Sequence, residues 1–263
     1  MLEQLRKILA NGRFGPAEVT QVESLTPHVI RVRIASDVIR DFSATCPGGH
    51  LKLVVPGKDE TAEDFQAIVE AANFRPVMRT YTIRNIYPDT AEIDVDIAVH
   101  GELGRVGPWA QRAQVGDVLV ISKCGSPKLV TDGAKRVLAA ADLTSFPALA
   151  AGLETLADDV IGEVFVEIPS TDDTQPVRAP KGVDITWLIK SDPHEPSTEL
   201  LDAIKDAEMP DAQTSVFAAG EFSMVAELRS LFQSVDKRMK YISSYWKVGA
   251  DENGHKLAKS IAA

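Results

Sequence analysis

Arg79, Thr80, Tyr81 and Thr82 follow one another in a stretch rich in strand-forming residues. Alternation along a strand puts Arg79 and Tyr81 on one face and Thr80 and Thr82 on the other. An arginine fork pairs well with a diphosphate. A flat aromatic covers a flat ring, and a small hydroxyl or amide bonds a ring edge. Arg79, Tyr81 and Thr82 in those roles would hold a flavin nucleotide. The same four residues also describe an ordinary strand with a surface arginine and a half-buried tyrosine. A second run, His100, Gly101, Glu102, Leu103, Gly104, Arg105, Val106, Gly107, Pro108 and Trp109, reads as a glycine-rich loop entering a helix. Glycines let backbone amides approach an anion, and a helix start adds positive potential. Gly101, Gly104, Gly107 and Pro108, with His100 beside them, form a candidate diphosphate cradle. A glycine-rich turn closed by a core Trp109 is the alternative.

The elements that must position these residues change character along the chain. Residues 18–25, 28–35, 50–55, 78–84, 91–99 and 117–121 read as short strands rich in Val and Ile. In 91–99, Ile93, Val95, Ile97 and Val99 alternate with Glu92, Asp94 and Asp96, which predicts a half-buried antiparallel strand. Six such strands predict a small Greek-key barrel. A helical insert is expected at 61–72, with Phe65, Ile68, Val69 and Ala72 on its apolar face. Beyond it, strands at 137–141, 163–168, 185–189 and 215–219 alternate with helices at 146–157, 197–207 and 221–232. That pattern predicts a smaller parallel α/β domain. The expected division is 1–131 and 132–263, with a C-terminal extension.

Composition bounds the function. The 263 residues carry a formal charge of −10, which argues against nucleic acid and anionic membranes as main partners. No apolar run approaches the roughly 20 residues of a membrane helix. Residues 1–10 read as an amphipathic helix rather than a signal peptide, so a cytoplasmic location is expected. The two cysteines, Cys46 and Cys124, lack the spacing of a metal or cluster site and read as unpaired thiols. No metal site is expected, and any electron chemistry needs an organic cofactor. A monomer is the default.

Taken in order, these motifs resemble the siderophore-interacting protein family, whose members are FAD-dependent ferric-siderophore reductases on a ferredoxin-reductase-like scaffold. The Arg-x-Tyr-Thr strand and the His-Gly strand end carry the likeness, as does Trp109-Ala110 nine residues after His100. It continues through Val115-Gly116-Asp117, the run Ala141-Asp142-Leu143-Thr144-Ser145-Phe146-Pro147-Ala148, Trp187-Leu188, Ala219-Gly220-Glu221 and Tyr245-Trp246-Lys247-Val248-Gly249. The resemblance implies an N-terminal FAD-binding barrel and a nicotinamide-binding-like α/β domain. It implies cofactor contacts at Arg79, Thr80, Tyr81, Thr82, His100, Gly101, Gly104, Gly107, Pro108 and Trp109. Asp142 and Thr144, at a strand end where ligands gather, would touch FAD or the donor, with helix capping as the competing role. Glu221 would face the nicotinamide unless it caps its helix, and Trp246 would lie near the cofactor unless it is only a packed anchor.

The implied reaction passes electrons from NADH, NADPH or reduced ferredoxin through FAD to a ferric siderophore. No acid–base residue is required. Asp172 and Asp173 favour NADH over NADPH, since a 2′-phosphate wants a cation, though a surface loop explains them equally. Lys52, Lys123, Lys128 and Lys247 are expected to form a basic rim for an anionic chelate. The chain departs from the family at Gly104–Trp109, where Gly107 replaces a serine, and at Lys123-Cys124-Gly125-Ser126-Pro127-Lys128, where a Gly-Pro-Arg-Gly-Ser loop is usual. A general flavin or quinone reductase, and a binding module without turnover, stay open as alternatives.

Overall fold

The computed structural model describes residues 14–70, 77–99, 104–130, 132–192, 194–250 and 254. The expected helix over 1–10, Ala72, His100 and Gly101 lie outside them. The chain divides into two compact units, Met1–Pro127 and Lys128–Ala263, so the second is not the smaller.

The first unit is a seven-stranded antiparallel sheet, β1 (Phe14–Thr26), β2 (Val29–Ala35), β3 (His50–Val54), β4 (Arg79–Thr82), β5 (Asn85–Tyr87), β6 (Glu92–Ala98) and β7 (Val118–Ser122), in the order β4-β3-β7-β1-β2-β6-β5. The strand not anticipated is β5, three half-buried residues too short to show a period. β4 and β5 lie at opposite ends of that order, yet only Ile83 and Arg84 separate them in sequence. The sheet must therefore curl until its edges meet, and Arg84 N donates to Asp94 O at 2.8 Å across the closure. Leu51, Leu53, Ile83, Ile93, Val95, Ile97, Leu119 and Ile121 fill the interior. A short helix, α2 (Val106–Arg112), plugs it with Val106, Trp109 and Ala110.

The insert helix α1 (Ala62–Glu70) begins with reciprocal bonds between Thr61 and Asp64, a capping box. Phe65 and Val69 pack on Val54, Val118 and Val120, the outer face of β3 and β7. Ile68, expected on that face, is instead exposed.

The polar side of β6 is not solvated either. Asp94 and Asp96 are buried, directly opposite Arg33 and Arg31 of β2, and each pair is joined by two hydrogen bonds. A carboxylate can leave water only when paired, and the arginines on the neighbouring strand supply the pairing.

The second unit is a parallel sheet in the order β10-β9-β8-β11-β12, formed by β8 (Arg136–Asp142), β9 (Ile161–Ile168), β10 (Gly182–Ile189), β11 (Thr214–Glu221) and β12 (Lys240–Trp246). Crossovers run through α3 (Phe146–Leu153), α4 (Thr198–Asp206) and α5 (Phe222–Leu231). Leu138, Ala140, Val216 and Ala218 on one sheet face pack with Leu200, Leu201, Ile204, Met224, Val225 and Leu228 of α4 and α5. The residues read as a C-terminal extension include β12, whose Lys-Tyr-Ile-Ser-Ser-Tyr-Trp sequence suits a half-exposed edge strand and carries no apolar run. No helix among the described residues is long and apolar enough to cross a membrane.

Candidate functional site

Each unit carries one group of the expected site residues. In the barrel, a cavity of about 320 Å³ is lined by Gly57, Lys58, Val77, Arg79, Gly104, Arg105, Pro108 and Arg112. The structure thus joins the two runs that the sequence set apart. β4 delivers Arg79, and the loop into α2 delivers Gly104 and Pro108. Gly104 has φ +85°, a conformation open to glycine at little cost, and a side chain added there would meet only open space.

Lys58, Arg105 and Arg112 were not foreseen as site residues. Both arginines stand in the motif run or just beyond it, and their charge was the available signal. Arg105 donates through Nε to Val55 O at 2.9 Å and through Nη2 to Glu60 Oε2 at 2.6 Å. The same Glu60 oxygen accepts the Gly57 amide at 2.7 Å. Burial pushes the Glu60 carboxyl up, but the Gly57 amide and the Arg105 guanidinium outweigh it and hold it below the usual range. Arg112 bonds Pro108 O and Gly57 O, both at 2.8 Å. Four cationic side chains around one cavity, in a chain of net charge −10, suit a diphosphate. An FAD diphosphate therefore fits these residues.

The rest of β4 is more deeply set. Tyr81 is half-buried against the barrel core, Thr82 is buried and Thr80 is exposed. Trp109, expected at the cofactor, is 2% exposed inside the barrel and is a core residue. Gly107 lies within α2 beside Ala98 O and does not line the cavity.

In the second unit the expected residues gather at the C-terminal ends of parallel strands, but their polar groups are engaged within the protein. Asp142 Oδ1 accepts the Thr144 hydroxyl at 2.6 Å and the amides of Thr144 and Ser145 at 2.9 and 3.2 Å. Its Oδ2 accepts the Trp246 indole N–H at 2.7 Å. Glu221 caps α5 through the amides of Ser223 and Met224 and accepts Val248 N at 3.3 Å. Glu221 is thus a helix cap, whereas Asp142 holds the turn that leads into α3, and Trp246 positions Asp142. Gly220, at φ +144°, passes so near that an added side-chain carbon would lie 2.6 Å from Asp142 Oδ2.

Beside them Glu167 accepts Ser197 Oγ–H at 2.8 Å and lies 3.5 Å from Lys190 Nζ. Burial raises its carboxyl above the usual range, against the opposing pull of Lys190. Asp173 is fully buried, while Asp172 is exposed.

The four lysines fall in both units. Lys52 Nζ bonds Thr80 Oγ1, and Lys123 is exposed. Lys128 Nζ stands 5.7 Å from the Tyr241 ring centre and Lys247 Nζ 4.6 Å from that of Phe222, distances at which an aromatic face holds a cation.

Two family models match the chain: siderophore-interacting FAD-binding domain over residues 18–128, and siderophore-interacting protein over residues 134–249. An uncharacterized protein of Mycobacterium tuberculosis is 31% identical, with 93% of this chain and 94% of the relative covered. Ferric vibriobactin reductase ViuB of Vibrio cholerae is 28% identical, with 88% of each chain covered. Among solved structures, the siderophore-interacting protein SipS from Aeromonas hydrophila matches with a TM-score of 0.83 at 28% identity, covering 95% of this chain and 98% of that one.

Proposed function

The chain belongs to the siderophore-interacting protein family, and from that premise we propose that it is a cytoplasmic flavoprotein reductase that delivers electrons to a ferric siderophore. The observation that carries this reading is the cavity with Lys58, Arg79, Arg105 and Arg112 inside the domain matched as FAD-binding. The likeness to a ferric vibriobactin reductase supports the acceptor class.

In this reading Arg79, Arg105, Arg112 and Lys58 hold the FAD diphosphate, and Tyr81 and Thr82 set the ring end of the site. Bound FAD supplies the conversion between a two-electron donor and a one-electron acceptor. The strand ends around Asp142 and Gly220 form the floor of the donor side, where a nicotinamide dinucleotide or a reduced ferredoxin delivers electrons. Lys52 and Lys123 on the first unit, and Lys128 and Lys247 on the second, each add positive charge that favours an anionic ferric chelate. Iron held as Fe(III) far more tightly than as Fe(II) is then loosened by one electron. No proton relay is needed, and bonds within the protein occupy the carboxylates of Asp142 and Glu221.

A panel of acceptors tests the reading. Faster turnover with ferric siderophores than with free flavin or quinones supports it, and equal turnover with all three contradicts it.

A further inference from the structure

The chain contains two cysteines, Cys46 and Cys124, and the fold brings them together although neither is needed for the proposed reaction. Both pack on the barrel core, Cys46 within it at 3% exposure and Cys124 half-buried at its margin. Both side chains belong to one apolar cluster, and Cys124 lies near enough to raise the Cys46 thiol. The backbone around them is tied in register. Gly49 N donates to Cys46 O at 2.8 Å, and Gly125 N donates to His50 O at 2.7 Å. A side-chain carbon placed on Gly49 would lie 2.1 Å from Gly125 O and 2.8 Å from Cys46 O, so the two loops touch where only glycine fits. Cys124 also stands in the Lys123–Lys128 loop, one of the places where this chain departs from the pattern its sequence otherwise follows.

We propose that Cys46 and Cys124 are a dithiol centre that closes to a reversible intramolecular disulfide under peroxide, pinning the Lys123-bearing loop to the barrel. Cys124, the accessible thiol, reacts first. Its sulfur, as thiolate, attacks one oxygen of hydrogen peroxide, the O–O bond breaks, and the departing hydroxide takes a proton to leave as water, with a sulfenic acid on Cys124. The Cys46 sulfur then attacks the Cys124 sulfur and gives up its proton. The S–O bond breaks, the second water leaves and the S–S bond forms. Two thiols lose two electrons and two protons, and one peroxide accepts them all as two waters. A small dithiol restores both thiols by exchange. Burial, and secondarily the neighbouring Cys124, push the Cys46 thiol up to about 12. Cys46 therefore rests as a thiol, which leaves the first reaction with peroxide to Cys124, and it gives up its proton only as it attacks the adjacent sulfenic sulfur.

The test treats the full-length reduced protein with equimolar hydrogen peroxide. Thiols are counted after denaturation, and unreduced peptides are mapped by mass. The expected result is the joint loss of both thiols, a peptide pair linking Cys46 to Cys124, a mass lower by two hydrogens, and full recovery with dithiothreitol. Cys124→Ser, at the more exposed position, should leave Cys46 unoxidised under the same dose. Cys46→Ser should carry Cys124 on to irreversible oxidation or into cross-linked dimers. Oxidation of Cys124 in the wild type with Cys46 still free, or survival of both thiols, would overturn the proposal.

Discussion

Trp246 donates its indole N–H to Asp142 Oδ2 at 2.7 Å, joining the last strand of the parallel sheet to the first. The bond fixes a carboxylate whose other oxygen organises the turn into α3. Trp246→Phe keeps the ring and removes the donor. It should cost about 1.5–3 kcal/mol of stability, the range for a hydrogen bond to a charged group. Urea unfolding followed by circular dichroism measures it, and an unchanged midpoint would assign Trp246 to packing alone.

The ladder of Arg31–Asp96 and Arg33–Asp94 predicts a pH response. Burial pushes the Asp94 carboxyl up, but hydrogen bonds from Arg33, Asn85 and Tyr87 outweigh it and hold the group below the usual carboxylate range. Between the depressed folded value and the ordinary unfolded one, near 3.9, the unfolded chain binds more protons. Stability from this group is therefore complete above that unfolded value and is lost as pH falls through the folded one. Asp94→Asn should cost about 2–3 kcal/mol at pH 7, less than a fully buried pair because Arg33 stays partly wet. The wild type should lose melting temperature below pH 4 and the variant should lose less, a difference that calorimetry across pH would read.

Arg105 and Glu60 predict opposite effects on FAD. Arg105→Gln removes a cation from the cavity and should weaken FAD binding about tenfold. Glu60→Gln can still accept the Gly57 amide, while Arg105 keeps its bond to Val55 O. Loss of an anion beside an anion site should then tighten binding several-fold. Fluorescence titration of the flavin-free variants gives both constants, and weaker binding by Glu60→Gln would make Glu60 an anchor of Arg105 rather than a competitor.

The lysine rim is tested at low salt. Replacing Lys128 and Lys247 by Ala should raise the apparent KM for anionic ferric chelates without changing flavin content. A KM that does not move at low ionic strength, where surface charge acts most strongly, would remove these two lysines from the acceptor path.

Much of this architecture was legible because it rests on local pattern. The alternation of Ile93, Val95 and Ile97 marked β6, and the strand–helix rhythm after residue 132 marked the parallel sheet. What the pattern hid were partnerships set by distant residues. Asp94 and Asp96 read as a solvated face because Arg33 and Arg31 lie some 60 positions away in sequence. β12 was obscured because an edge strand needs no apolar run. Arg79 of the strand motif does line the cavity. Lys58, Arg105 and Arg112 escaped notice because charge on a loop or at a helix end looks like surface until the fold encloses it. Asp142 and Glu221 were placed at the correct strand ends, but whether a carboxylate there meets a ligand or bonds within the protein depends also on Trp246 and Val248, which lie far along the chain.

The central claim is tested most directly by an anaerobic absorbance titration of the purified protein loaded with FAD. NADH, NADPH or reduced ferredoxin is added first, then a ferric siderophore. The account predicts that a donor bleaches the visible flavin bands and that the ferric chelate restores them as Fe(II) appears. A protein that takes up no FAD, or whose bleached flavin is not reoxidised by any ferric chelate, would contradict it.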